Sequence, residues 1–242
     1  MERRRDPDGQ TGIIQTPKGF VSSSGRHRMA KVFVTGATGF MGRRLCGALV
    51  ERGHRVRGLA RAGSEERLAA GVTAVAGDPL DAATYREAVA GCDAMVHLVG
   101  VSHPSPAKAA QFRAIDLASA RQAIAVAVAG GIGHLVYVSV AHPAPIMREY
   151  IAARVEAERA IVESGLKATI LRPWYVLGPG RRWPLVLAPV YRLMEAIPTT
   201  REGARRLGLV TAEQMIAAMV EAIEQPPAGV VVLEVPEIRK AS

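Results

Sequence analysis

The chain has 242 residues, of which 49% are hydrophobic, and a formal net charge of +9. This is enough chain for one α/β domain with a buried core and a small appendage, and too apolar a composition for a disordered protein. No apolar run approaches the roughly 18 residues of a membrane-spanning helix, and the charge is not interleaved with aromatics as a nucleic-acid surface requires.

Residues 1–28 hold six basic side chains (Arg3, Arg4, Arg5, Lys18, Arg26, Arg28) against three acids, a net of +3. Rich in Gly, Ser and Pro and without periodicity, they read as a flexible basic arm. Met29, directly before the first strand, marks a second candidate start of translation. From Lys31 the chain alternates short β-branched runs with amphipathic stretches. The pattern predicts strands at 31–35, 54–60, 72–76, 94–98, 135–139, 168–171 and 230–235. It predicts helices at 42–52, 82–90, 115–129, 150–163 and 212–224. Such alternation is the signature of a doubly wound parallel sheet, so the fold class is α/β, Rossmann-type, over residues 29–242, with 181–211 as a small lobe on the substrate side. Cys46 and Cys92 lie in unrelated segments without metal-ligand spacing; they read as packing residues of a reducing compartment, and the expected placement is cytoplasmic. No metal-binding cluster is apparent.

The most informative segment is Thr35-Gly36-Ala37-Thr38-Gly39-Phe40-Met41-Gly42, where a strand ends in three spaced glycines and runs straight into a helix. The first glycine permits the turn, the second lets backbone approach a pyrophosphate, and the third lets the helix pack on the sheet. The helix N-terminus then presents unpaired N–H groups to the phosphates. Gly36, Thr38, Gly39, Phe40, Met41, Gly42 and Arg43 are therefore candidate dinucleotide contacts. An NAD-preferring site usually carries an acid at the tip of the second strand. Here that tip reads Gly58-Leu59-Ala60-Arg61-Ala62-Gly63-Ser64. Arg61, assisted by Arg43, can pair with a 2′-phosphate through its planar fork; the alternative is that both are solvent-facing arginines. The expected cofactor is NADP(H), with NAD the alternative.

These residues resemble the extended and atypical branch of the short-chain dehydrogenase/reductase superfamily. Further matches follow in order: Gly77-Asp78-Pro79-Leu80, His97-Leu98-Val99-Gly100, Val136-Tyr137-Val138-Ser139, and Leu171-Arg172-Pro173-Trp174-Tyr175-Val176-Leu177-Gly178-Pro179-Gly180. Together they span Lys31 to about Gly180. The resemblance implies that Asp78, Pro79 and Leu80 lie along the adenine. It also implies that Leu98, Val99, Gly100 and Val138, with Pro173, Trp174, Tyr175 and Val176, lie along the rest of the cofactor.

The resemblance implies a catalytic tyrosine with a lysine four residues later, on one face of a helix, and a serine or threonine beside them. The matching stretch is Tyr150-Ile151-Ala152-Ala153-Arg154, with arginine at the lysine position. Arg154 keeps the charge and can hydrogen-bond the ribose, but lacks the compact geometry of an ammonium. Ser139 is the nearest strand-end serine. Tyr150, Ser139 and Arg154 are thus the candidate catalytic set and also candidate cofactor contacts. His97 reads as a packing residue near the cofactor rather than a base, and His142 as a solvent-exposed loop histidine, with proton transfer at the mouth of the site as the alternative.

Residues 181–206 carry Arg181, Arg182, Trp183, Tyr191, Leu193, Met194 and several further arginines. They suit core packing, a pocket for an apolar ligand, or peripheral contact with a partner or membrane surface. Two functions follow. One is an NADP(H)-dependent oxidoreductase of a small, fairly apolar carbonyl or alcohol. The other is a non-catalytic dinucleotide-binding redox sensor or accessory protein that binds a protein partner, favoured by Arg154. Both are compatible with a monomer or homodimer, and neither calls for nucleic acid.

Overall fold

The computed structural model describes residues 29–178 and 207–241. The expected arm at 1–28, and most of the expected lobe with Trp183, Tyr191, Leu193 and Met194, lie outside the described residues.

Seven parallel strands form the main sheet in the order β3-β2-β1-β4-β5-β6-β9. They are β1 (Lys31–Thr35), β2 (Arg55–Ala60), β3 (Thr73–Ala76), β4 (Ala94–His97), β5 (His134–Val138), β6 (Ala168–Leu171) and β9 (Val230–Leu233). A separate parallel pair joins β7 (Tyr175–Leu177) to β8 (Leu209–Thr211). The apolar runs of β1 and β4–β6 are buried on both faces, as a parallel sheet between helix layers demands. On one face Leu45, Cys46 and Leu49 of α1 (Phe40–Glu51) pack with Met215, Met219 and Ile223 of α5 (Ala212–Glu224). On the other, Phe33 and Tyr85 stack at 5.8 Å beneath α3 (Ala118–Ala129) and α4 (Arg148–Glu163). Cys46 and Cys92 are both buried packing residues.

Register sets the working edge. Thr35 pairs with His97, His97 with Tyr137, Val138 with Leu171, and Leu171 with Leu233. Their successors Gly36, Leu98, Ser139, Arg172 and Glu234 therefore leave the sheet along one carboxyl edge. The chain first moves outward from β1 to β3 and then returns to place β4 on β1's other side. The loops after β1 and β4 diverge at that switch point, which opens the crevice where such sheets bind ligands.

Five elements depart from the sequence expectation. The 82–90 helix is broken at Tyr85, whose ring is drawn into the core against Phe33, leaving a short turn Ala82–Thr84 capped by Asp81 and a one-turn α2 (Arg86–Val89). The helix expected from 115 begins earlier, with a turn at Ala109–Gln111 and a π-helical stretch Phe112–Leu117 leading into α3. Strands β7 and β8 and the short α6 (Val235–Ile238) carry too few residues to show a period. Thr211 ends β8 and caps α5 reciprocally with Gln214.

Candidate active site

The glycine loop forms one wall. Gly36 has φ +73° and lies against the β4 loop, where a Cβ would sit 2.9 Å from the Leu98 carbonyl carbon. A Cβ on Gly42 would collide with the Gly36 carbonyl oxygen, so α1 approaches the loop as closely as backbone permits. Gly39 precedes α1 with extended backbone, without a side-chain cap, and no acid stands in the helix's first turn. The amide end of α1 is thus left to an anion, and the cradle fits a dinucleotide pyrophosphate. Phe40 fills the space over Gly178, where a Cβ would lie 2.5 Å from its Cζ, and Arg44 stacks on its ring at 4.1 Å. Met41 and Thr38 are half-buried, and Arg43 is exposed.

Arg61 follows β2 directly and is exposed in a turn closed by Ser64 N–H to its carbonyl at 2.9 Å. Past β3, Asp78 accepts from the Leu80 amide at 2.9 Å, while its own amide donates to Thr84 Oγ1. This turn carries Asp78 and Leu80 exposed and Pro79 half-buried along the same edge. Leu98, Val99, Gly100 and Val138 are half-buried at the ends of β4 and β5; Pro173 is buried, and Trp174, Tyr175 and Val176 are half-buried beyond β6.

Tyr150 is half-buried near the start of α4, with its ring 5.0 Å from that of Phe112. One turn on, Arg154 faces the same way but points inward, and the residue is only 6% exposed. Its Nη2 donates to Asp116 Oδ1 at 2.6 Å, and its Nη1 to the Val138 carbonyl at 2.8 Å and the Tyr137 hydroxyl at 3.4 Å. The guanidinium lies 5.3 Å from the Tyr150 ring centre and 5.7 Å from that of Tyr137. Burial opposes its charge, but Tyr150, Tyr137 and Asp116 outweigh that and hold it cationic, above its ordinary range. The ribose contact expected from the sequence is therefore not the role this geometry gives Arg154: the side chain is spent on an internal carboxylate.

Ser139 is buried, and its hydroxyl donates to Glu158. Glu158 also receives Arg172 Nη2 and, at 3.1 Å, Arg172 Nε, while Arg172 Nη1 reaches Glu234 at 3.0 Å. Burial pushes the Glu158 carboxyl up, but His142, Arg172 and Ser139 together hold it below the ordinary range. His142 is not the solvent-exposed histidine expected: its side chain is 20% exposed and lies 3.5 Å from Glu158, because the loop after β5 folds back over α4. His97 is buried and stacked 5.9 Å from Tyr137, with Nδ1 2.8 Å from Thr35 Oγ1. Burial, and then Arg154, lower its pKa to about 3, which makes it a neutral packing residue. Sequence reasoning missed Asp116 and the Glu158–Arg172–Glu234 chain. Each had a local signal: Asp116 is a lone acid in the apolar run Ala114–Ala118, and Glu158 follows Ala153 and Ala157 on a buried helix face.

Residues 36–183 match the model of a family described as NAD(P)H-binding. The chain belongs to this NAD(P)H-binding family. Similar proteins include reductases. A 2-alkyl-3-oxoalkanoate reductase of Stenotrophomonas maltophilia is 31% identical over 172 residues, covering 62% of this chain and 52% of that protein. A ceramide reductase of Caulobacter vibrioides is 27% identical, covering 86% of this chain and 65% of that one. The NAD(P)H-binding chain thus matches about half to two thirds of the length of these two relatives. Its fold is shared with the Bordetella bronchiseptica enzyme WbmH, solved with NAD+, at a TM-score of 0.64 and 23% identity, covering 86% of this chain and 76% of that one. Among the described residues no helix is long and apolar enough to cross a membrane, and no group of three or more potential metal ligands occurs.

Proposed function

We propose that the protein is an NADP(H)-dependent reductase of a carbonyl group carried on an apolar chain, with Tyr150 as the proton donor. The observation that carries this reading is the placement of Tyr150 above the Arg154 guanidinium, on the helix that flanks the same sheet edge as the glycine cradle. The chemistry supplied at that cradle by a bound nicotinamide dinucleotide is hydride transfer to the carbonyl carbon. Tyr150 gives its phenolic proton to the developing alkoxide and is reprotonated from solvent. Asp116 and Arg154 hold the ring face beneath it. Ser139 takes no part in proton transfer, because its hydroxyl is committed to Glu158. Trp174, Tyr175 and Val176 offer apolar surface to the substrate chain. The relatives named as oxoalkanoate and ceramide reductases support this substrate class. The preference for NADP(H) rests on Arg61 and Arg43, both exposed near the cradle.

The test is NADPH oxidation with 3-oxo esters and ketones of increasing alkyl length, with Tyr150→Phe in parallel. Turnover that falls at least about a hundredfold in the variant supports the reading, and turnover unaffected by it removes Tyr150 from the mechanism. Dinucleotide binding without turnover of any carbonyl favours the second reading, a dinucleotide-binding sensor or accessory protein that acts through a protein partner. The specific observation behind that alternative is the inward turn of Arg154 onto Asp116.

A further inference from the structure

Asp116 is completely buried in the π-helical stretch before α3. Each of its oxygens has one partner from a different element. Oδ1 accepts Arg154 Nη2 at 2.6 Å, and Oδ2 accepts the Val101 amide at 3.0 Å, in the loop after β4. That loop is threaded tightly over the ion pair. A Cβ on Gly100 would collide with Arg154 Nη2 and sit 3.0 Å from Asp116 Oδ1. Two residues earlier the same loop packs on Gly36 of the dinucleotide cradle. On its other side the pair places the guanidinium under the rings of Tyr150 and Tyr137.

We propose that Asp116 is a two-handed positioning residue, one oxygen fixing the Arg154 platform beneath Tyr150 and the other fixing the Leu98–Val101 loop against the dinucleotide cradle. The proposal rests on the reductase reading for its Tyr150 arm, while the loop arm requires dinucleotide binding alone. A buried carboxylate with a single guanidinium partner cancels that cation locally, so Arg154 contributes shape and a fixed ring platform rather than an outward-facing charge. On this reading Arg154→Lys does not raise reductase activity. A lysine at 154 has one compact ammonium to share among Asp116, Val138 and Tyr137, and cannot reproduce the planar fork that now spans them.

Removing one charge strands the other, so the test is made in a charge-free background. Asp116→Asn/Arg154→Met and Asp116→Ala/Arg154→Met differ chiefly in the oxygen that can accept from Val101. NADPH affinity is measured by calorimetry on both, alongside wild type and Arg154→Met, with melting temperature and circular dichroism as folding controls. The expected result is that the Asn variant binds NADPH within about threefold of wild type. The Ala variant, with the same circular dichroism spectrum, binds about tenfold more weakly. Equal affinities in the two would overturn the loop arm. For the Tyr150 arm, Asp116→Asn/Arg154→Met, which strands no charge, is expected to lower kcat about tenfold with KM for the carbonyl substrate unchanged; a change confined to KM would overturn it. Wild type that binds NADPH but turns over no carbonyl would refute the reductase reading while leaving the affinity comparison decisive for the loop arm.

Discussion

Gly36 and Leu98 meet backbone to backbone: a Cβ on Gly36 would lie 2.9 Å from the Leu98 carbonyl carbon and 3.0 Å from its oxygen. The crevice between β1 and β4 is therefore closed at its base by contact that a side chain would open. Gly36 also has φ +73°, a conformation that costs a substituted residue on the order of 1–3 kcal/mol. Gly36→Ala is expected to lower the melting temperature and weaken NADPH binding by at least about tenfold, since either response of the loop moves the cradle. Calorimetry on the variant checks this. Unchanged affinity with unchanged stability would mean that the dinucleotide does not use this cradle.

The cradle was legible in the sequence because its signals are contiguous: a buried strand, three spaced glycines and a helix within twenty residues. The strand edges were legible too, because parallel strands buried on both faces leave short apolar runs. The interior of the site was not. Asp116 and Arg154 are 38 residues apart, and Arg172 meets Glu234 across 62. A sequence shows the two ends of such a pair but not their meeting. Ser139 illustrates the consequence, since its position at the end of β5 was read correctly while the direction of its hydroxyl depended on Glu158, a residue on another element.

Glu158 and Ser139 are expected to separate cleanly. Glu158 is the buried anion that receives Ser139, Arg172 and His142. Glu158→Gln leaves the Arg172 cation with Glu234 as its one acidic partner among the described residues, and a loss of about 3–5 kcal/mol in urea unfolding is expected, as for other buried pairs broken on one side. Ser139→Ala removes one hydrogen bond to a charged group, worth roughly 1.5–3 kcal/mol, and is expected to leave turnover within about threefold. Should Ser139→Ala abolish turnover without loss of stability, Ser139 would act on the substrate after all.

His134 gives a pH signature independent of the active site. It is buried in β5 with Nε2 3.0 Å from Thr169 Oγ1, and its Nδ1 is buried without a hydrogen-bond partner among the described residues. Burial lowers its pKa from 6.5 to about 4. The folded state keeps it neutral, whereas the unfolded chain binds a proton as pH falls below about 6.5. Its contribution to stability is therefore fully present above pH 6.5 and is lost as pH falls toward the folded value. The limiting slope is about 1.4 kcal/mol per pH unit per group. His97, lowered to about 3, acts with the same sign. In His134→Leu/Thr169→Val both partners become apolar, so stability at pH 7 is expected within about 1 kcal/mol of wild type. Urea unfolding between pH 7 and 5 is expected to show a slope shallower by nearly one proton. An unchanged slope would show that His134 is already protonated in the folded protein.

The proposed preference for NADP(H) rests chiefly on Arg61. It leaves β2 at the carboxyl edge, exposed, while the residues from Gly58 to Ser64 contain no acid to receive a ribose 2′-hydroxyl. The first acids, Glu65 and Glu66, fall in the following turn, which Gly63 at φ +77° and the Arg61–Ser64 hydrogen bond set apart from the strand tip. A guanidinium on a 2′-phosphate makes charge-assisted hydrogen bonds of roughly 1.5–3 kcal/mol in total, or about 10- to 100-fold in affinity. Arg61→Ala is thus expected to weaken NADPH binding by that factor while changing NADH binding less than about threefold, and the NADPH loss should shrink as salt is raised. Arg43→Ala, on the first turn of α1, is expected to act in the same direction. If wild type bound both dinucleotides equally and Arg61→Ala left that ratio unchanged, Arg61 would be a surface charge, and selectivity would have to be sought in the turn carrying Glu65.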